Sequence, residues 1–360
     1  DEPFALPAAH PMRTVRALRT LLALPAARWP AAIEAIYAAY WQRGEDVTRD
    51  ETIADALRQA GLTEAEIGTA AARADDPAIK DALRARTEEA ISLGIFGAPA
   101  WVARGDGAPR LIWGQDRLAW VEAMADGWSL AGPPPGGARP LAIAERARPG
   151  TTLDVYFDVA SPFAYLGLSQ LPALAAMGVT PRLVPILLGA LFRELGQVDV
   201  PWFAMPPAKQ RYVGAEMARW AAWWGVPYDH PRKFPQRTVT AQRLCLLAAR
   251  AGFATGLAVA QTLGRAMWAE QADLEDDATL RALAERHGWP ADWLAQTRAA
   301  ETKAALVAHT AEARAAGVFG VPTFVVDGRH RFWGQDRLEL VARALAGWQP
   351  PTPPGLAVAP

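Results

Sequence analysis

The sequence contains one cysteine, Cys245, among 360 residues. A single cysteine excludes an internal disulfide, a zinc-type cysteine cluster and the Cys-x-x-Cys pair of a thiol-disulfide enzyme. The five histidines show no metal-ligand spacing, so no metal site is predicted. This composition fits a reducing compartment, and we expect the cytoplasm. Cys245 lies in the helical run CLLAAR and is predicted to be a core residue rather than a reactive thiol.

The sequence also lacks a large excess of either charge sign, and it lacks long apolar runs. The formal net charge is −1, which gives no broad electrostatic attraction for nucleic acid. No apolar run reaches the roughly 18 residues of a membrane span, so no membrane partner is expected. Lysine is scarce relative to arginine, which is typical of GC-rich, bacterial coding. The 51% hydrophobic and 21% charged residues indicate a folded chain, and its length favours two domains.

A long internal repeat is the main feature that is present. The stretch GVFGVPTFVVDGRHRFWGQDRL at 317–338 returns in altered form as GIFGAPAWVARGDGAPRLIWGQDRL at 94–118. In the same way, HPMRTVRALR at 10–19 matches FPQRTVTAQR at 234–243. Self-similarity at so long a period indicates domain duplication rather than a solenoid.

The repeat and a Pro/Gly-rich stretch predict the domain layout. We expect a partial first copy at 1–128, a linker at 129–150, a complete second copy at 151–348 and a Pro-rich tail at 349–360. The first copy should contain a helical region and a strand–strand–helix unit, with a longer hairpin at 104–109. It lacks a counterpart of 151–224, and we expect that the natural chain begins further upstream.

The second copy predicts an α/β fold when its elements are taken in order. A strand at 152–158, a helix from Ser161-Pro162 to Gly178 and a strand at 179–186 form a βαβ opening. A loop at 187–207 and a helical region follow, and the copy closes with two strands and a helix at 321–347. The helices of that region are predicted at 208–224, 239–251, 255–269, 276–288 and 290–316. This order is typical of a thioredoxin-like fold with a large all-helical insertion, here duplicated.

Several stretches of the second copy resemble 2-hydroxychromene-2-carboxylate isomerases. They are FDVASPFAYLG (157–167), LLGALFRELGQ (187–197), PPAKQRYVGAEMARWAAWWGVPY (206–228), FPQRTVTAQR and the 317–338 repeat. That family is related to kappa-class glutathione transferases and lies in the thioredoxin-like DsbA-type superfamily. The resemblance covers nearly all of the second copy and only the later part of the family in the first. It implies glutathione as the cofactor and a cis peptide bond at Val321-Pro322.

Ser161 is the predicted catalytic residue. It stands at the start of the first predicted helix, where thiol-disulfide members of this fold carry their cysteine pair. A serine there can donate its hydroxyl to an external thiolate, and the helix dipole favours the same negative charge. The resemblance implies that this thiolate belongs to glutathione. The alternative is a simple N-cap serine.

The resemblance also implies cofactor-binding residues in the closing unit. Val321 would offer its backbone N–H and C=O to the cysteinyl part of glutathione, next to Pro322. Asp336 would accept from the γ-glutamyl ammonium group, and Gln335 with the helix N–H groups would hold the γ-glutamyl carboxylate. The alternatives are a structural turn proline and an aspartate that only caps its helix.

Four further candidates carry weaker signals. Lys209 matches a family lysine near the glycine end of glutathione, or it is a solvated lysine. Gln197 and Arg237 stand where the family often has asparagine, and they are candidates for the cofactor and the substrate carboxylate, respectively. Trp220 is the representative of an aromatic cluster that either packs in the core or lines an aromatic substrate pocket.

The predicted function is a glutathione-dependent cis-trans isomerase of 2-hydroxychromene-2-carboxylate or a similar aromatic-catabolic enol acid. The alternatives are a kappa-like glutathione transferase and a non-catalytic glutathione- or peptide-binding module. A small aromatic-derived substrate is the expected partner, and a homodimer is compatible with the sequence. The first copy has Ala98-Pro99 and Gln115-Asp116 but no counterpart of Ser161. We therefore expect no complete site there, and an exposed apolar face unless it packs on the second copy or a partner.

Overall fold

The computed structural model describes residues 3–104 and 109–349. The chain divides into two compact units, of which the first ends at Gly97 and the second begins at Ala98. In the described part of the chain, no helix is long and apolar enough to cross a membrane.

All regular elements among the described residues of the first unit are helices. Its α-helices are α1 (Val15–Ala23), α2 (Trp29–Tyr37), α3 (Asp50–Gln59), α4 (Glu64–Arg73) and α5 (Pro77–Ser92). A 3-10 turn (Ala26–Arg28) and a π-helical turn (Ala38–Gln42) flank α2. Helix α1 packs on α4 and α5, and α2 packs on α3. Thr63 and Glu66 each accept a hydrogen bond from the other's backbone N–H, a capping box that fixes the start of α4.

The second unit opens with the closing ββα element of the first copy. Strands β1 (Ala100–Ala103) and β2 (Arg110–Trp113) form a two-stranded antiparallel sheet. A 3-10 turn (Gln115–Arg117) leads into α6 (Leu118–Ala125). Buried side chains of this element share one hydrophobic core with the strands of the second copy; they include Ile112, Trp120, Met124 and Trp128. The first copy therefore buries part of its apolar surface on the second copy, whereas Trp101 and Leu118 stay exposed.

The rest of the second unit is built on a four-stranded sheet in the order β4-β3-β5-β6. The strands are β3 (Leu153–Phe157), β4 (Arg182–Pro185), β5 (Thr323–Val326) and β6 (His330–Trp333). Strand β3 runs parallel to β4 and antiparallel to β5, and β5 forms a hairpin with β6. Asp327 and Gly328 both have positive φ at the hairpin turn, as the Asp-Gly pair predicts.

Helices fill the space before, between and after these strands. They are α7 (Pro162–Ser169), α8 (Leu171–Ala175), α9 (Leu188–Glu194), α10 (Pro201–Ala204), α11 (Pro207–Trp224), α12 (Val239–Arg250), α13 (Phe253–Trp268), α14 (Asp277–Arg286), α15 (Trp293–Gln296), α16 (Ala300–Ala315) and α17 (Leu338–Leu345). A 3-10 turn (Gln335–Arg337) precedes α17. The βαβ opening, helical insertion and ββα closure confirm the predicted thioredoxin-like fold.

Some predicted boundaries were wrong. The loop predicted at 187–207 contains α9 and α10. The first helix of the second copy is interrupted at Gln170, because Pro172 cannot donate a backbone hydrogen bond there. The long helix predicted at 290–316 is broken between α15 and α16.

Other predictions fall partly outside the described residues. Residues 105–108 of the hairpin expected at 104–109 lie there, and so do 350–360 of the expected tail.

The predicted core position of Cys245 is confirmed, since its side chain is fully buried and burial raises the pKa of its thiol.

Candidate functional site

Ser161 lies at the point where α7 meets the start of β5. It is the N-cap of α7, and its Oγ accepts from the N–H of Ala164 at 3.2 Å. The same hydroxyl donates to the backbone oxygen of Val321 at 3.3 Å. Residues 160 positions apart in sequence are thereby joined. The structure thus brings together the predicted catalytic residue and the predicted backbone contact.

The Val321-Pro322 peptide bond is cis, as the resemblance implies. The N–H of Gly334 donates to the oxygen of Pro322 at 2.9 Å. This bond joins the cis-proline step to Gly334, the residue just before the 3-10 turn Gln335–Arg337. Gly167 on α7 allows a close approach: a Cβ there would lie 3.1 Å from Cγ of Pro322 and 3.5 Å from Cβ of Gln335. Val321, Pro322 and Gln335 are consequently buried against α7.

A buried polar network supports the loop before Ser161. Asp158 accepts from the N–H groups of Ala160 and Leu188, at 2.9 Å each, and from the hydroxyl of Thr238 at 3.0 Å. Burial raises the pKa of this carboxyl, although those donors oppose the shift. Asp158 was not predicted as a supporting residue. Its place between β3 and Ser161, inside FDVASPF, was the available signal.

Gln242 completes this network from α12. Its amide donates to the oxygens of Phe157 at 2.9 Å and Ile186 at 2.8 Å, and its Oε1 accepts from the N–H of Val159 at 3.2 Å. These bonds bridge the ends of β3 and β4. They fix the backbone that carries Ser161.

Asp336 lies in a cluster of charges near the start of α17. Its Oδ2 lies 2.8 Å from Nη2 of Arg117 and 3.3 Å from Nη1 of Arg337. Arg117 also contacts the buried carboxylate of Glu216 at 2.9 Å. In return, Arg337 contacts Asp116 at 2.5 Å. Each arginine therefore contacts the aspartate of the other copy: Arg117 contacts Asp336, and Arg337 contacts Asp116.

Burial and charge act against each other in this cluster. Burial favours a lower pKa for Arg117, but the carboxylates of Glu216, Asp336 and Asp116 raise it, so the guanidinium stays charged. Burial raises the pKa of Glu216, and Arg117 opposes that rise. Neither Arg117 nor Glu216 was predicted as part of the site. Arg117 recurs as Arg337 in the repeat, and Glu216 is an acid on the apolar face of a predicted helix, so both left a signal.

Comparisons with known proteins identify the domain family of this chain. A family model for the DSBA-like thioredoxin domain matches residues 2–124 and 152–346. The 2-hydroxychromene-2-carboxylate isomerase of Sphingobium xenophagum is 30% identical over 192 residues, covering 53% of this chain and 95% of that protein. This chain belongs to the DSBA-like thioredoxin domain family, with the 2-hydroxychromene-2-carboxylate isomerases and kappa glutathione S-transferases.

Two further proteins of that family are similar to this chain. The glutathione S-transferase kappa 1 of Rattus norvegicus is 28% identical over 218 residues, covering 57% of this chain and 95% of that protein. A solved 2-hydroxychromene-2-carboxylate isomerase is 25% identical, covers 54% of this chain and 94% of its own, and has a TM-score of 0.49. The predicted relation to this family of enzymes is confirmed.

Lys209 and Trp220, two weaker candidates, both lie on α11. The Nζ of Lys209 stands 5.6 Å from the ring centroid of Trp113. Trp220 is buried and packs on Trp120 at a centroid distance of 4.8 Å, with the guanidinium of Arg117 at 4.9 Å from its ring. This environment fits the core alternative for Trp220.

Gln197 and Arg237 have exposed side chains in this DSBA-like fold. Gln197 follows α9, and Arg237 precedes α12, where its backbone N–H donates to Glu275 at 2.7 Å. The structure gives neither side chain a contact with Ser161 or Val321. Their roles toward cofactor and substrate stay predictions.

Proposed function

We propose that this chain is a glutathione-dependent cis-trans isomerase of 2-hydroxychromene-2-carboxylate or a similar enol acid from aromatic catabolism. Its one site would lie in the second copy, with Ser161 as the catalytic residue. The names of the family relatives support the reaction class, and the contact between Ser161 and the cis-proline step supports the location.

The hydrogen bond from Ser161 to Val321 is the observation that carries the proposal. At 3.3 Å it is long, because O–H···O bonds have a typical length of about 2.7–2.8 Å. A bound glutathione would offer a thiolate to the Ser161 hydroxyl and an amide N–H to the Val321 oxygen. Both groups would exchange one weak bond for two stronger ones, so the residues fit this cofactor.

The residues around the sulfur position would stabilise negative charge. When bound, glutathione supplies a thiolate that adds reversibly to the conjugated double bond of the substrate, which allows rotation about that bond. Ser161 would donate to the sulfur, while the N–H of Ala164 holds the serine oxygen in place. Ser161 is only 5% exposed, and donors act more strongly where water is excluded.

The remaining predicted residues would bind the two ends of glutathione. Asp336 would accept from the γ-glutamyl ammonium, and buried Gln335 would hold the γ-glutamyl carboxylate. Lys209 would pair with the glycine carboxylate. These groups orient the cofactor and do not take part in addition or departure of the thiolate.

The direct test replaces Ser161 with alanine and measures isomerase turnover with added glutathione. We expect kcat to fall about 10²–10³-fold, as is typical when one donor to a reacting anion is removed. Ser169→Ala is the matched control on the same helix, since the Ser169 hydroxyl donates to the backbone oxygen of Leu166 and accepts from the Gln170 amide rather than contacting Val321. Equal turnover in the Ser161→Ala and Ser169→Ala variants would contradict the proposal.

A kappa-like glutathione transferase is the second candidate. Relatives of that name from Caenorhabditis elegans and Rattus norvegicus are 27% and 28% identical to this chain, close to the 30% of the isomerases. Measurement of free thiol during many turnovers distinguishes the two reactions. An isomerase recycles glutathione, so the thiol concentration stays constant. Stoichiometric loss of thiol would favour the transferase, and binding without any turnover would favour a non-catalytic module.

A further inference from the structure

The first-copy module, defined as residues 98–128, contacts two charged residues of the proposed glutathione site. Arg117 Nη2 lies 2.8 Å from Asp336 Oδ2, and the ring of Trp113 lies 5.6 Å from Lys209 Nζ. Asp336 and Lys209 are the groups assigned to opposite ends of glutathione. The first-copy module therefore contacts both ends of the proposed site in the second copy.

The first-copy module is firmly seated on helix α11. The N–H of Trp113 donates to the hydroxyl of Tyr212 at 2.9 Å, and Arg219 donates to the oxygen of Leu111 at 3.0 Å. Trp120 packs on Trp220 in the common core. A contact this well packed can hold a side chain in one position.

The geometry at Asp336 shows what Arg117 fixes. One carboxylate oxygen, Oδ2, is taken by Arg117 and Arg337. The other, Oδ1, points to Gly334, where an added Cβ would lie 2.5 Å from it. The N–H of Gly334 in turn donates to Pro322. Arg117 thus contacts Oδ2 of Asp336 and leaves Oδ1 facing Gly334, whose N–H is hydrogen-bonded to Pro322.

Lys209 is held in a related way. Its ammonium stands over the aromatic face of Trp113, and Trp113 is itself fixed by Tyr212. An ammonium over an aromatic ring is attracted by the ring quadrupole. The flexible lysine stem is therefore biased toward one direction before any carboxylate binds.

We propose that the first-copy module is a built-in positioning element for the glutathione site of the second copy. Arg117 orients Asp336 toward the γ-glutamyl ammonium, and Trp113 orients Lys209 toward the glycine carboxylate. This inference rests on the proposed function. It assigns to the first-copy module a role in cofactor affinity.

The test of Arg117 uses calorimetric titration with glutathione on the full chain. Removal of Arg117 alone leaves Glu216 buried and unpaired, so the comparison is between Arg117→Met/Glu216→Gln and Glu216→Gln alone. We expect the double variant to bind glutathione about tenfold more weakly, the size of a charged hydrogen bond. At saturating glutathione, kcat should stay within about twofold, since only cofactor binding changes.

N-acetylglutathione distinguishes positioning from general damage, because its γ-glutamyl nitrogen carries no charge. The double variant and Glu216→Gln should bind this analogue equally. Equal affinity of the two variants for glutathione itself would overturn the role of Arg117. An about tenfold loss for both ligands would overturn it too, since a structural defect does not depend on the ammonium.

The test of Trp113 uses the other end of the cofactor. Trp113→Leu should weaken glutathione binding about threefold, and Trp113→Phe should restore it by returning an aromatic face. γ-Glutamylcysteine lacks the glycine, so Trp113→Leu and the wild type should bind it equally. Failure of Trp113→Phe to restore binding, or equal losses for both ligands, would overturn the role of Trp113.

Arg110→Met is the matched control within the first-copy module. It removes the bond from Arg110 to the oxygen of Trp128 without touching Asp336, Lys209 or Tyr212, so glutathione affinity should not change. If this control weakens binding as much as the Arg117 variant does, the positioning role is wrong. If the wild type itself shows no glutathione binding, the proposed function fails as well. Wild-type binding with unaffected variants would overturn the positioning role alone.

Discussion

The two closing modules of the repeat share a backbone and differ in their surroundings. Both contain a cis proline, at Ala98-Pro99 and at Val321-Pro322. In both, a glycine N–H donates to the proline oxygen, at 3.0 Å for Gly114 and 2.9 Å for Gly334. Yet Val321 and Pro322 are buried, whereas Ala98 and Pro99 are exposed. The local sequence determines the turn but not whether it becomes a site.

The neighbours of the turn make the difference. Strand β5 of the second module pairs with β3, and α7 packs on Pro322 and brings Ser161 to Val321. Strand β1 of the first module forms a two-stranded sheet with β2. The second module is thus half of the proposed site, whose other half is the βαβ opening. The first module kept its fold and serves as a packing partner.

The largest effect should come from the reciprocal arginines. Arg117→Met should destabilise the protein by about 3–5 kcal/mol, because it leaves the buried Glu216 carboxylate unpaired. Arg337→Met should cost at most about 1 kcal/mol, since the side chains of Arg337 and its partner Asp116 are 33% and 25% exposed. Urea unfolding of both variants measures this. Equal losses would contradict the difference in burial.

The loss in Arg117→Met should also depend on pH. Burial raises the pKa of Glu216 above its unfolded value, and without Arg117 less opposes that rise. A raised carboxyl pKa favours folding at low pH, and this advantage is lost as the pH rises through the folded pKa. The variant should therefore be more destabilised, relative to the wild type, at pH 8 than at pH 5. A constant difference across that range would count against an unpaired Glu216.

A smaller effect should follow from filling the gap between α7 and the cis-proline step. Gly167→Ala would place a Cβ 3.1 Å from Pro322, and we expect a loss of about 1–3 kcal/mol. It should also weaken glutathione binding. Gly68→Ala in α4 is the control, because no atom lies within 4 Å of its added Cβ, and it should stabilise by about 0.5–1 kcal/mol. Thermal unfolding of the two variants gives the comparison.

The smallest difference in stability should be that between the alanine substitutions at the turn glycines Gly114 and Gly334. Gly114 and Gly334 have φ of 103° and 106°, so alanine at either position should cost about 1–3 kcal/mol. Gly334→Ala should weaken glutathione binding more than Gly114→Ala, because its Cβ would displace the oxygen of Asp336 itself, whereas the Cβ at Gly114 would displace Asp116, which contacts the positioning residue Arg117 and Arg337. Equal effects of the two substitutions on glutathione affinity would remove the functional distinction between the modules.

Local signals explain which features the sequence predicted. The Asp327-Gly328 turn, the Ser161-Pro162 helix start and the repeated proline step each depend on adjacent residues, and each was found in the structure. The breaks near Gln170 and after α15 were missed, although Pro172 was a local signal for the first of them.

Long-range contacts explain what was missed at the site. Arg117 meets Glu216 and Asp336 across 99 and 219 residues, and no periodicity or motif encodes such a pairing. The support of Asp158 from Thr238 likewise spans 80 residues. The repeat itself pointed to the residues in the charge cluster, but only the fold shows that the arginines exchange partners between copies.

The stoichiometry of glutathione binding tests the central claim most directly. Titration calorimetry of the full chain should give one glutathione per chain, bound in the second copy, despite the two cis-proline modules. Ser161→Ala should weaken that single binding event. Two equivalent sites per chain, or one site that is indifferent to Ser161, would contradict the account.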